Sequence, residues 1–191
     1  CEACQKDKLP KYKPLTPSAT LKPDRPFQMW SVDLAGPFPQ DENGMVYAMV
    51  AVDVFSKWVE IGLLPSKRAM RTCEWFYNEV ICRWGKPTAI RLDNGAEWLG
   101  QFKTMMSNLG VTMTHSSVGN SRANGQAERT IRTLKDVVRR QMTAHPTSYW
   151  SDAIPYALLA MRMTTSRAHG LPPFTIVTGS YPSLPSMLLE G

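Results

Sequence analysis

An apolar run with a single acid, Met29-Trp30-Ser31-Val32-Asp33-Leu34, is closed by Gly36-Pro37. Bulky apolar residues bounded by a Gly-Pro turn predict a β-strand, and they place Asp33 near the end of that strand. Asp93 follows a second apolar run, Ala89-Ile90-Arg91-Leu92, in the same manner. Both acids are therefore predicted to lie at the edge of one α/β core.

A third acid, Glu128, comes just after Asn124-Gly125 at the start of a long amphipathic pattern. A carboxylate in the first turn of such a helix can point back toward both strand ends. Magnesium prefers oxygen ligands and is usually held by one or two carboxylates plus substrate phosphate. Three carboxylates can therefore hold two ions, one activating a water or 3′ hydroxyl and the other stabilising the leaving oxygen. Asp33, Asp93 and Glu128 are thus predicted to be the catalytic magnesium ligands of an enzyme of phosphodiester chemistry.

Simpler roles compete for each acid, because a single Asp after a strand is usually a turn or cap residue. Asp53 also follows an apolar strand, and we interpret it as the cap of the turn before Trp58. Glu97 lies four residues beyond Asp93, where it favours the N-terminus of the following helix. Neither residue is assigned to the metal site.

The helix that carries Glu128 has two stripes at helical spacing. Its apolar stripe is typical of an ordinary amphipathic surface helix and consists of Ile131, Leu134, Val138 and Met142. Beside a metal site, the cations of the polar stripe are also placed to hold DNA phosphates. The predicted DNA-binding residues of that stripe are Arg132, Lys135 and Arg139.

The order of the predicted elements indicates the fold class. Three strands, at about 28–35, 45–54 and 58–63, precede a helix over 67–84. A strand at 88–92, a helix at 98–109 and a strand at 111–114 follow, and a later helix is expected to bend at Pro155. This order predicts an α/β fold, a mixed five-stranded sheet flanked by helices with an RNase H-like outline.

The chain's formal charge of +6 favours a polyanionic partner, and half of that surplus lies in residues 1–26. Five of the 15 prolines are in the same segment, which predicts an extended basic linker at 9–26. The core is predicted at 27–170, and a Pro-rich tail at 171–191, within which Phe174 to Val177 could form a short helix. Without an apolar run of about 18 residues, we expect no membrane association and an intracellular protein.

The four cysteines form two pairs with different expectations. Cys73 and Cys82 are about 13 Å apart along a helix, too far for a disulfide, so we expect reduced, partly buried thiols. Cys1 and Cys4 form a Cys-x-x-Cys pair, but a structural zinc site needs four ligands. Residues 1–8 are therefore interpreted either as the end of a zinc-binding module or as an inert segment.

These residues together resemble the integrases of retroviruses and LTR retrotransposons, particularly those of gypsy-type elements. The resemblance runs from about Cys1 to Gly179. It rests on the Cys-x-x-Cys pair, Trp30-Ser31-Val32-Asp33, Asp53-Val54-Phe55-Ser56-Lys57-Trp58, Leu92-Asp93-Asn94-Gly95-Ala96-Glu97-Trp98 and Asn124-Gly125-Gln126-Ala127-Glu128-Arg129. The resemblance implies that Asp33, Asp93 and Glu128 form the catalytic triad, with magnesium or manganese, and that Asn124, Arg132 and Lys135 lie near the DNA end.

The resemblance also implies partners and a place of action. An integrase trims element DNA ends and joins them to target DNA in the nucleus, as a dimer or larger assembly. Helices 67–84 or 147–164 could supply an interface. The zinc module would need two histidines upstream of residue 1. The chain has 34 residues between Asp93 and Glu128, one fewer than is usual, and the difference falls in the loop 116–123.

Two other functions remain open at this point. A domesticated integrase-derived host protein would bind DNA or protein without catalysis. A different RNase H-like nuclease or transposase would cut DNA without joining 3′ ends.

Overall fold

The computed structural model describes residues 22–115, 125–146 and 148–183. A five-stranded mixed sheet forms its centre. The strands are β1 (Met29–Ala35), β2 (Tyr47–Asp53), β3 (Val59–Leu64), β4 (Ala89–Leu92) and β5 (Thr112–His115). Their order across the sheet is β3-β2-β1-β4-β5, antiparallel for β1 to β3 and parallel for β1, β4 and β5. The predicted mixed five-stranded sheet is confirmed.

Helices cover both faces of this sheet. On one face lie α1 and α2. Helix α1 runs through three joined segments, Ala69–Trp75, a π-helical Phe76–Ile81 and Cys82–Trp84, and α2 is Gln101–Asn108. On the other face lie α3 (Gly125–Ala144), a 3-10 turn (Trp150–Ala153) and α4 (Ile154–Met163). The sheet therefore separates two apolar clusters, with α1 and α2 on one side and α3 and α4 on the other.

Helix α3 is amphipathic, as its sequence predicts. Ile131, Leu134 and Val138 are buried and pack against Ala48, Val50 and Val52 of β2. This packing seats α3 over β1 and β2. Asp33 and Ala35 are two residues apart in β1 and therefore share a face of the sheet. Because Ala35 belongs to the apolar cluster that contains the buried residues of α3, the start of α3 lies on the same face as Asp33.

The region around Pro155 differs from the sequence prediction. Pro155 stands in the first turn of α4, not within a bent helix. A proline is tolerated there because the first amide groups of a helix have no intrahelical acceptor.

The predicted C-terminal tail contains a helix, α5 (Pro173–Thr178), which confirms the short helix considered at Phe174 to Val177. Phe174 and Val177 pack against the cluster of α1 and α2. The domain boundary at residue 170 stays a prediction.

Both cysteines of α1 are free thiols, as expected, although Cys82 is exposed instead of partly buried. The N-terminal segments predicted at 1–8 and 9–26 lie outside the described residues up to residue 21. In the described part of the chain, no helix combines the length and the apolar character that a membrane crossing requires.

Candidate active site

Asp33 and Asp93 come from neighbouring parallel strands. The pairing of β1 with β4 sets Trp30 opposite Ile90 and Ser31 opposite Arg91. The same register, continued along both chains, brings Asp33 level with Asp93 just beyond Leu92. The sheet therefore places the two predicted catalytic acids side by side, because parallel strands in this register end at the same edge.

The carboxylate of Asp33 is partly buried and accepts few hydrogen bonds from the described residues. In the described residues its hydrogen-bond donor is the amide of Leu34, which lies 2.7 Å from Oδ1. A buried carboxylate normally accepts several hydrogen bonds, since each ionised oxygen has two lone pairs. Asp33 thus retains lone pairs that can be offered to a cation.

Asp93 is held more firmly. Its Oδ1 accepts hydrogen bonds from the indole Nε1 of Trp98 and from the amide of Gly95, the latter at 3.0 Å. Trp98 is completely buried against Phe102, so the indole is a fixed donor. The backbone carbonyl of Asp93 also contacts His115 Nδ1 at 3.0 Å. The loop after β4 therefore fixes Asp93 through a core tryptophan.

The electrostatics of Asp33 show which charges surround it. Burial raises the pKa of this carboxyl from 3.8 to about 6. The hydrogen bond from Leu34 opposes that rise, whereas the negative charges of Asp93, Glu128 and Glu97 add to it. Like charges in a common site disfavour ionisation. The charges of both Asp93 and Glu128 therefore reach the carboxyl of Asp33.

The predicted ligands, as far as the chain is described, do not form a complete metal-binding group. Among the residues that the structure describes, no group of three or more His, Cys, Asp or Glu side chains is close enough together to hold a metal ion. The donors nevertheless fit magnesium, because all are hard carboxylate oxygens and their mutual repulsion is relieved by a divalent cation. Glu128 is in the first turn of α3, and its side chain is exposed.

Glu97 belongs to this acidic group, although its sequence position suggested only a helix-start role. Its carboxylate folds back over Gly95, so that a Cβ built on that glycine would lie 2.7 Å from the Glu97 oxygens. Its charge raises the pKa of Asp33. The signal in the sequence is Gly95 itself, because the absence of a side chain there leaves room for the Glu97 carboxylate against the backbone.

Asp53 has the structural role that its sequence context predicts. Its Oδ1 accepts the amide of Phe27 at 3.0 Å, and its Oδ2 accepts both the amide of Ser56, at 2.7 Å, and the Ser56 hydroxyl. The side chain is completely buried. Asp53 therefore caps the turn before Trp58 and has little capacity left for a metal ion.

The predicted DNA-binding residues fall into two groups. Arg132, Lys135 and Arg139 are exposed on α3, and Arg139 forms an ion pair with Asp136 at 2.7 Å. Asn124 lies outside the described residues, and so do Cys1 and Cys4, which are predicted as zinc ligands and not as DNA contacts. The exposed cations extend along α3 away from Glu128, in the line that the helical spacing predicts.

Comparison with known protein families shows which family this chain belongs to. The family model described as "Integrase core domain" matches residues 23–121, just over half of the chain. The chain belongs to the integrase core domain family. The matched segment contains Asp33 and Asp93 and ends before Glu128.

Relatives of this integrase core are retroviral polyproteins. The Gag-Pol polyprotein of walleye dermal sarcoma virus is 34% identical over 180 residues, which is 94% of this chain and 10% of that polyprotein. The Pol polyprotein of radiation murine leukemia virus is 29% identical over 185 residues, 96% of this chain and 31% of that polyprotein. The integrase core thus spans between a tenth and a third of these relatives.

Solved structures share its fold. The catalytic core domain of HTLV-2 integrase, solved with magnesium in a trimeric form, superposes with a TM-score of 0.65 at 22% identity, covering 81% of this chain and 99% of that one. A chain of the simian T-cell lymphotropic virus intasome gives a TM-score of 0.72 at 21% identity, covering 97% of this chain and 65% of that one. The RNase H-like fold of integrase catalytic cores, predicted from the sequence, is confirmed.

Proposed function

We propose that this chain is the catalytic core of a DNA integrase, which trims the 3′ ends of element DNA and joins them to target DNA. The observation that carries this proposal is that the paired strands β1 and β4 bring Asp33 and Asp93 to one sheet edge, with Glu128 close enough to raise the pKa of Asp33. The membership of the chain in the integrase core domain family supports it.

The three acids would hold two magnesium or manganese ions. When bound, such ions lower the pKa of an attacking water or 3′ hydroxyl and stabilise the leaving oxygen. Asp93 orients its carboxylate through Trp98 and Gly95, and Asp33 offers lone pairs that the protein leaves unsatisfied. Glu128 approaches from the helix on the same face of the sheet. Rigid strands and a packed helix give the precision that an in-line displacement needs.

Helix α3 would position the DNA. Arg132, Lys135 and Arg139 point from its exposed face and would contact backbone phosphates near the reacting bond. Asn124, just before the helix, would lie near the DNA end. Such contacts set register and affinity without reading sequence.

We further propose a dimer or larger assembly on paired DNA ends in the nucleus. Tyr77 on α1 and Tyr156 on α4 support it, because they are large side chains that are 45% and 61% exposed. The matched HTLV-2 core domain was solved in a dimeric form as well as a trimeric one. Cys1 and Cys4 would bind zinc only in a longer chain that supplies two histidines.

The test is a strand-transfer assay with a labelled blunt duplex of the element's terminal sequence, in magnesium or manganese, resolved on a denaturing gel. The wild-type chain should yield shortened strands and longer joined strands. Asp93→Asn should yield neither, because its amide oxygen can still accept from Trp98 but no longer carries the charge that a metal ion needs.

The matched control is Glu74→Gln, which neutralises an exposed acid on α1. Glu74 lies on the other face of the sheet from α3 and forms an ion pair with Arg71. The control variant should behave as wild type. Joined products from Asp93→Asn would contradict the metal-site proposal. Cleavage without joining would indicate a nuclease, and DNA binding with neither reaction would indicate a non-catalytic protein.

A further inference from the structure

A cavity of about 610 Å³ lies beside the proposed catalytic edge, between α3, α4 and the hairpin of β2 and β3. Its apolar wall is formed by residues such as Val52, Val59 and Met161. None of the proposed metal ligands or predicted DNA-binding cations lines it. The cavity is therefore a feature separate from the site described above.

Three cations converge on this cavity: Lys57 after β2, Arg129 on α3 and Arg167 after α4. Of the described residues that line it, none is acidic. In the described part of the chain, Arg129 and Arg167 have no carboxylate within 4.0 Å, and both are exposed. The lining therefore carries a positive charge that its own walls do not neutralise.

Arg129 is close enough to Lys57 for its charge to affect that ammonium group. Burial lowers the pKa of Lys57, and the positive charges of Arg129 and Arg91 lower it further, against the opposing effect of Asp53. Asp53 is itself buried and occupied by backbone and Ser56 donors. Like charges gathered at a cavity whose described lining contains no acid are relieved by an anion.

The backbone fixes the position of Lys57. This residue has a positive φ of 68°, which is uncommon for a residue with a Cβ. Its Nζ donates a hydrogen bond to the carbonyl of Val54 at 2.6 Å, leaving further ammonium protons available. The turn capped by Asp53 thus holds one cation in place at the cavity.

The hydroxyl groups of the lining define what kind of ligand can enter. Thr133 and Thr164 already donate to the carbonyls of Arg129 and Ala160, at 3.1 and 2.7 Å. The hydroxyls of Thr130 and Ser166 also line the cavity, and its charged donors are the guanidinium and ammonium groups, which suit phosphate oxygens. The apolar wall would contact a non-polar surface such as a deoxyribose, and its low dielectric strengthens the field of the cations.

We propose that this cavity is a second phosphate-binding subsite, in which Lys57, Arg129 and Arg167 hold the backbone of DNA that reaches the carboxylates. The proposal rests on the integrase function. Arg129 follows Glu128 directly, so about 100° of helix rotation separates the metal-binding edge from the cavity. A duplex contacting Arg132 on the exposed face of α3 can place a neighbouring phosphate against Arg129, which is one helical turn away.

The test is DNA binding by the double variant Arg129→Gln/Arg167→Gln, measured by fluorescence anisotropy of a labelled random-sequence duplex over a range of salt concentrations. The slope of log affinity against log salt should become shallower by about 2, because each lost phosphate contact removes about one counterion. The loss should be equal for different sequences. The double variant Arg68→Gln/Lys103→Gln removes the same charge from the opposite helical layer and should keep the wild-type slope.

The outcomes separate this subsite from catalysis, because binding is measured without metal. A wild-type slope in Arg129→Gln/Arg167→Gln, with unfolding curves matching wild type, would overturn the subsite and leave the integrase proposal intact. An equally shallower slope in Arg68→Gln/Lys103→Gln would mean that net charge alone causes the change, and it would also overturn the subsite. Saturable binding of inorganic phosphate, with the DNA slope unchanged, would overturn DNA as the occupant. If strand transfer is absent in the wild type while the slope changes as expected, the subsite stands and the catalytic proposal fails.

Discussion

Asp33 and Asp53 are both buried acids of the same sheet, and burial raises the pKa of both. They differ in what surrounds the carboxylate. Asp53 accepts from Phe27 and twice from Ser56, whereas Asp33 accepts from Leu34 and faces three further acids. A carboxylate whose oxygens are satisfied by protein donors holds the fold together. A carboxylate left among like charges is costly without a cation, and this difference marks Asp33 as the functional one.

The largest expected effect is on activity at Asp33. Asp33→Asn should lower strand transfer by at least about 10³-fold, because electrostatic stabilisation of several kcal/mol depends on the metal ligands. At pH 7.5 its free energy of unfolding should equal or exceed that of the wild type, since a repulsive charge is removed. Urea unfolding and a single-turnover joining assay measure the two quantities. If Asp33→Asn lost activity only because it was less stable, Asp33 would be a structural residue like Asp53, and the contrast between them would be wrong.

Substitution of Asp53 tests whether this carboxylate stabilises the fold. Asp53→Asn should cost about 2–4 kcal/mol in the free energy of unfolding, because charge-assisted hydrogen bonds contribute about 1.5–3 kcal/mol each. Joining activity per folded molecule should persist. Urea denaturation of this variant, beside the exposed control Asp24→Asn, gives the difference. A loss below about 1 kcal/mol would mean that Asp53 is not a structural cap.

The pH dependence of stability tests the raised pKa of Asp33 directly. The pKa of Asp33 is about 6 when folded and 3.8 ordinarily, so the folded metal-free protein binds the proton more tightly. Its contribution to stability is present below pH 3.8 and is lost as the pH rises through 6. The difference in unfolding free energy between wild type and Asp33→Asn should therefore change over that window. A difference that is constant from pH 4 to 7 would contradict the raised pKa.

Magnesium should also oppose protonation. Because bound metal requires the ionised carboxylate, the metal-induced rise in Tm should shrink as the pH falls below about 6. Thermal unfolding with and without magnesium measures it, with Asp33→Asn as the variant that should show no rise. An equal rise in that variant would place the metal elsewhere.

The smallest effect is expected at Glu97. Glu97→Gln should lower the pKa of Asp33 while leaving it above 3.8, because burial is the larger cause of its rise. Carboxyl carbon chemical shifts, titrated by NMR, report that pKa directly. Glu42→Gln neutralises an exposed acid that is not among the charges acting on Asp33 and should leave its titration unchanged. An unchanged pKa in Glu97→Gln would exclude this residue from the acidic group.

Much of the fold was predictable because local patterns decide it. Strand and helix periods predicted all five strands, and α3 buries the apolar stripe that its spacing indicates. The exceptions have local causes that depend on neighbours. Pro155 stands at the start of α4, directly after the Trp150–Ala153 turn, and the exposed Cys82 directly follows the π-helical segment of α1, where the helical period changes.

The sequence by itself determined which acids stand at strand ends and at the helix start, since alternation along a strand and spacing along a helix depend on the chain alone. Only the tertiary structure decided how those acids are surrounded. Hydrogen-bond donors saturate Asp53, the charge of Glu97 reaches Asp33, and Lys57, Arg129 and Arg167 meet at one cavity. These relations join residues far apart in sequence, and they depend on packing distances and burial that no local pattern encodes.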